Sequence, residues 1–97
     1  MNESQITESI KRALKREGWW VFKIQGGPRQ VAGIPDLLCC KHGIAVWLEV
    51  KTPDGKLSKL QSARMQEIRL RGGCVAEVVT SVAEALQVVR SVSESQP

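Results

Sequence analysis

The sequence holds one histidine and three cysteines, and no apolar run approaches the ~20 residues needed to cross a bilayer. Each shortage removes a class of reading. Cys39, Cys40 and Cys74 are odd in number and fit neither an even disulfide framework nor a metal-ligand spacing. Cys39 and Cys40 are adjacent, so in a strand they point to opposite faces, which argues against a shared zinc site and for packing roles. No signal-peptide apolar segment precedes them, and a reducing cytoplasm is the expected home. His42 lies between Lys41 and Gly43 in a short turn and reads as a solvated turn residue, not a catalytic base. No repeat, linker or low-complexity segment interrupts the chain.

What is present is enough for one small domain. At 97 residues, folding buries about 60 to 68 per cent of the unfolded chain's surface, so a modest core is possible and a second domain is not. With 42% hydrophobic and 25% charged residues, the composition is that of a globular domain, neither disordered nor membrane-spanning. A net charge of +4 fits a polyanionic partner, although only the distribution of that charge is informative.

Along the chain, Ile6, Ile10, Ala13 and Leu14 recur at helical spacing and predict an amphipathic helix from Glu3 to Glu17, stopped by Gly18. Trp19 to Ile24 is aromatic and β-branched and predicts a strand, ended by Gly26-Gly27-Pro28. Asp36 to Cys40 and Ile44 to Lys51 flank a tight turn and predict an antiparallel hairpin. Ser58 and Gln61 form a capping box for a helix running to Arg71, Cys74 to Val79 is a fourth strand, and Ser81 with Glu84 predicts another box. The last helix is expected to reach Val92, leaving a single domain over 1–92 and a polar, frayed tail over 93–97. The order αβββαβα predicts an α/β fold, a mixed sheet with helices packed on it.

Two short strings stand out: Ile34-Pro35-Asp36 and Glu49-Val50-Lys51. Glu49 and Lys51 emerge on one side of their strand, and Asp36, opening the neighbouring strand, brings a second carboxylate close. Two adjacent carboxylates repel unless a cation lies between them, and hard oxygen ligands suit Mg²⁺ or Mn²⁺. Taken singly, Asp36 reads as a turn carboxylate and Glu49 and Lys51 as an exposed strand face. Glu49 lies between Leu48 and Val50 in a strand apolar on both sides, which favours the joint reading.

The wider pattern adds Glu3 with Ile6, Ile10, Leu14 and Gly18, then Gly33-x-Pro35-Asp36-Leu37, Glu49-Val50-Lys51, and Leu57-Ser58-x-x-Gln61 ahead of Gly72-Gly73. This ordered set resembles the PD-(D/E)xK nuclease superfamily and, more narrowly, a stand-alone VRR-NUC domain of phage or bacterial type. The resemblance implies a restriction-endonuclease-like mixed sheet flanked by helices. It implies Asp36 and Glu49 as metal ligands, assisted by the Val50 carbonyl, with Lys51 near the attacking water. It also implies a first-helix carboxylate and a glutamine, for which Gln61 is available.

Glu3 and Glu8 compete for the carboxylate. Glu3 lies three residues before Ile6 and seven before Ile10, on the inward face. Glu8 is turned away by about 200° at about 100° per residue, so Glu3 is chosen. Lys23, Arg29, Lys41, Lys56 and Lys59 are candidates to clamp phosphates without reading bases. Trp19, Trp20 or Trp47 are available for a dimer surface or for stacking on an unpaired base.

The activity implied is that of a metal-dependent, structure-selective DNA endonuclease, using Mg²⁺ or Mn²⁺ on branched DNA such as four-way junctions. A symmetric homodimer in a bacterial or phage-infected cytoplasm is the implied setting, with no membrane partner. The rival readings are a non-catalytic nucleic-acid-binding module on the same fold, and a nuclease for flaps or nicked duplex.

Overall fold

Asn2 starts the first helix, α1 (Glu3–Arg16), by a reciprocal cap: its side chain accepts from the Gln5 N–H, and the Gln5 side chain accepts from the Asn2 N–H. The remaining elements of the computed structural model, which describes residues 1–25 and 31–95, are β1 (Trp20–Lys23), β2 (Leu37–Lys41), β3 (Ile44–Val50), α2 (Lys59–Leu70), β4 (Val75–Val79) and α3 (Val82–Glu94). The order is the predicted αβββαβα, an α/β fold. Among the described residues no helix is long and apolar enough to cross a membrane.

The four strands form one sheet in the order β1-β2-β3-β4, antiparallel for the first two pairs and parallel between β3 and β4. His42 and Gly43, at φ 50° and 81°, make a two-residue turn between β2 and β3, the left-handed pair that matches the twist of a hairpin. The β3 to β4 pairing needs a crossover, and α2 supplies it.

Alternation along the strands sorts the sheet into two faces. Leu37, Cys39, Val46, Leu48 and Val50 point to one face, where they join Ile6, Ile10 and Leu14 of α1 and Ala85 and Val89 of α3 in the core. Burial pushes the Cys39 thiol up to about 12, consistent with a packing role. The other face carries Trp20, Phe22, Leu38, Cys40, Trp47 and Glu49. Helix α2 packs mainly on β4, and Met65 is its buried residue.

Several element bounds fall a residue from expectation, and three of the differences have a visible cause. Trp19 precedes β1; its N–H donates to the Leu14 carbonyl, so the end of α1 claims it. Ser81 caps α3 by accepting the Glu84 N–H, but Glu84 does not close the box. Its carboxylate accepts instead from the Thr80 N–H at 2.6 Å and the Thr80 hydroxyl at 2.8 Å. Those hydrogen bonds hold the Glu84 carboxyl below the usual carboxylate range. Finally, α3 continues past Val92 to Glu94, with Ser95 as its cap.

Candidate metal centre

The β2–β3 register pairs Leu37 with Leu48, and one further step sets Asp36 opposite Glu49. Directly opposed residues share a face, and two like charges there are unfavourable on their own. A second constraint fixes Asp36. Its carboxylate accepts the Val50 N–H at 2.9 Å, while the Asp36 carbonyl accepts the Ile24 N–H at 2.7 Å. Pro35 before it is buried, so the segment has little freedom. In an extended strand a residue's N–H and C=O point to the same edge, so the Val50 carbonyl faces the Asp36 side.

From α1, Glu3 reaches the same place: oxygens of Glu3, Asp36 and Glu49 all lie within 4.8 Å of one another. Of the two α1 candidates, it is Glu3 and not Glu8 that the helix brings beside Asp36 and Glu49. Glu8 lies instead beside Lys11, 3.3 Å away on the exposed side. Glu3 itself is exposed, Asp36 half-buried and Glu49 buried, so the group runs from solvent into the sheet.

Glu49 is the electrostatic focus. Its burial raises its carboxyl to about 8, helped by the Asp36 charge and hydrogen bonding and by Glu3, and opposed by Lys51. Lys51 Nζ lies 3.8 Å from Glu49. Gln61 Nε2 donates to the same carboxylate at 3.4 Å, while Gln61 Oε1 accepts the Ser58 N–H at 2.9 Å. Gln61 is thus both the capping residue and a partner of the site, two readings that the sequence offered separately.

Three carboxylates against one ammonium leave an excess of negative charge that a divalent cation matches. The donors are hard oxygens, and a buried carboxylate opposite another is costly without such a partner. The residues therefore fit Mg²⁺ or Mn²⁺.

The proposed phosphate clamp is less unified. Lys23 is half-buried and pairs with Leu37 at the site end of the sheet. Lys59 is exposed at the start of α2, two residues from Gln61, and Lys56 is exposed in the preceding loop. Lys41 is not brought to the site. It lies at the far end of β2, about 16 Å away at about 3.3 Å per residue. There its ammonium donates to the Glu17 carbonyl at 2.6 Å and lies 5.9 Å from the Trp19 ring, a cation at a helix C-terminus. Arg29 falls outside the described residues.

The Val50 N–H, which holds the Asp36 carboxylate, is the contributor that reading residue types did not reveal. Extending the hairpin register by one step would have found it.

No family model matches the sequence, and no curated protein does. A solved structure described as a "VRR_NUC domain" superposes with a TM-score of 0.75 at 24% identity, covering 91% of this chain and 94% of that one. The chain has the VRR_NUC fold. In that fold β2 and β3 form the hairpin that carries Asp36 and Glu49, α1 brings Glu3 to them, and α2 brings Gln61.

Proposed function

We propose that the protein is a metal-dependent endonuclease that cuts branched DNA such as four-way junctions, acting as a homodimer. The observation that carries the reading is the convergence of Glu3, Asp36 and Glu49 within 4.8 Å, beside Lys51. The VRR_NUC fold agrees with it. Bound Mg²⁺ or Mn²⁺ would supply Lewis acidity, making water a better nucleophile and polarising the phosphate.

The chain's own residues do the rest. Asp36, Glu49 and the Val50 carbonyl would hold the ion with help from Glu3, and the Val50 N–H keeps Asp36 aimed. Lys51 orients the attacking water and offsets negative charge developing on the phosphate. Gln61 steadies the Glu49 carboxylate. Lys23, Lys56 and Lys59 hold the DNA backbone without reading bases, which favours shape over sequence. Two copies related by a two-fold axis supply two sites for two strands.

The test is cleavage of labelled junctions, flaps and nicked duplexes by purified protein with Mg²⁺, Mn²⁺ or EDTA. Metal-dependent junction cutting that disappears in Asp36→Asn supports the reading. Binding of junctions with no cutting under any metal would replace it with the non-catalytic module.

A further inference from the structure

Helix α2 meets three different parts of the fold along one side. At about 100° per residue, Leu60 and Arg64 lie about 40° apart, Gln61 about 60° beyond Arg64, and Met65 about 40° further on. Gln61 meets the Glu49 carboxylate, and Met65 is buried where α2 packs on β4. Leu60 and Arg64 meet the segment that leads into Asp36. Arg64 Nε donates to the Ala32 carbonyl at 3.0 Å, and Gly33 comes so close that a β-carbon on it would lie 2.9 Å from Leu60 Cγ and 3.1 Å from Arg64 Cγ.

Between Ala32 and Asp36 the chain has little slack. Pro35 is fully buried with its φ set by the ring, and the Asp36 carbonyl accepts the Ile24 N–H at 2.7 Å. A restraint on Ala32 is therefore passed on to the carboxylate that accepts the Val50 N–H. Arg64 is itself restrained. Its Nη1 donates to Glu67 at 2.9 Å while Nε serves Ala32, a hold in two directions that a planar guanidinium allows and a lysine ammonium does not. The Arg64 and Glu67 side chains are 29% and 48% exposed, and a surface ion pair of this kind adds little stability of its own. Its effect lies in where it points the guanidinium.

We infer that Arg64 is a positioning residue of the metal centre: oriented by Glu67, it pins the Ala32 carbonyl to α2 and thereby keeps Asp36 aimed at Val50 and Glu49. Helix α2 then locates both carboxylates of the hairpin, Glu49 through Gln61 and Asp36 through Arg64. The purpose of this device rests on the metal-dependent reading above, but its geometry is readable without metal.

Amide hydrogen exchange on the metal-free protein in EDTA, followed by Mn²⁺ calorimetry, tests it. In Arg64→Ala the Val50 amide should exchange about tenfold faster, while the helix amides of Ile10 and Val89 and the melting temperature stay as in wild type. Mn²⁺ affinity should fall about tenfold, the low end of what losing an outer partner of a metal ligand costs. Glu67→Gln keeps an acceptor for Arg64 and should retain most of both properties, whereas Arg64→Lys should restore little. An unchanged Val50 amide in Arg64→Ala overturns the inference, and so does a uniform loss of protection, which marks a merely structural residue. A wild-type chain that takes up no Mn²⁺ would remove the metal reading alone, since Val50 exchange still decides the part played by Arg64.

Discussion

The Asp36 carboxylate accepts the Val50 N–H at 2.9 Å, so the strand that carries Glu49 also orients the carboxylate facing it. One side chain thereby has two duties, as acceptor for a backbone donor and as a candidate ligand for an ion. The two can be separated by substitution.

Asp36→Asn keeps an oxygen for the Val50 N–H and removes the charge, so it should fold with near wild-type stability and bind Mn²⁺ at least tenfold more weakly. Asp36→Ala also strands the N–H, which costs about 1 to 3 kcal/mol further. Denaturant melts with Mn²⁺ titration calorimetry compare them; equal stability of the two variants would refute the positioning role.

Glu49 should make the metal-free protein less stable as pH rises. Its folded pKa is raised to about 8 from an ordinary 4.5, so between these values the folded chain keeps a proton that the unfolded chain has lost. Stability is then greatest below the unfolded value and falls by at most about 1.4 kcal/mol per pH unit until the folded value is passed. Bound Mg²⁺ or Mn²⁺ replaces the proton and should flatten the slope. Thermal melts from pH 5 to 8, with EDTA and with metal, measure this, and Glu49→Gln should remove the slope in EDTA.

Lys51→Met should leave Mn²⁺ and junction affinity within a few-fold of wild type while slowing cleavage about 10² to 10³-fold, the usual cost of losing one charge-stabilising donor. Single-turnover rates set beside binding constants make the comparison. A variant that binds and cuts normally would take Lys51 out of the mechanism.

Gly33→Ala should be far more damaging than Gly43→Ala, although both glycines sit at φ +81°. A β-carbon on Gly33 would lie 2.9 Å from Leu60 Cγ and 3.0 Å from the Leu60 carbonyl, whereas Gly43 has nothing within 4 Å. Gly43→Ala should lose about 1 to 2 kcal/mol from the left-handed backbone alone. Gly33→Ala adds a clash with helix backbone three residues before Asp36, so metal affinity should fall along with stability.

Much of this was legible in the residues because it is periodic or local. Helical spacing chose Glu3, strand alternation put Glu49 and Lys51 on one side, and Ser58 with Gln61 marked the start of α2. What escaped depends on distant parts of the chain. Lys41 looked like any basic turn residue until the end of α1 arrived beside it. Glu84 chose Thr80 over its expected partner, a matter of one residue's backbone direction.

The two-residue turn at His42 and Gly43 also has a consequence for how the site comes together. Closing a short loop costs little entropy, so Asp36 and Glu49 meet whenever the hairpin forms. Glu3 belongs to the first turn of a helix, where fraying is cheapest. Unravelling that turn takes away one carboxylate and leaves the other two in register. The centre therefore dismantles in steps, and an ion that engages Glu3 also fastens the beginning of the chain to the sheet.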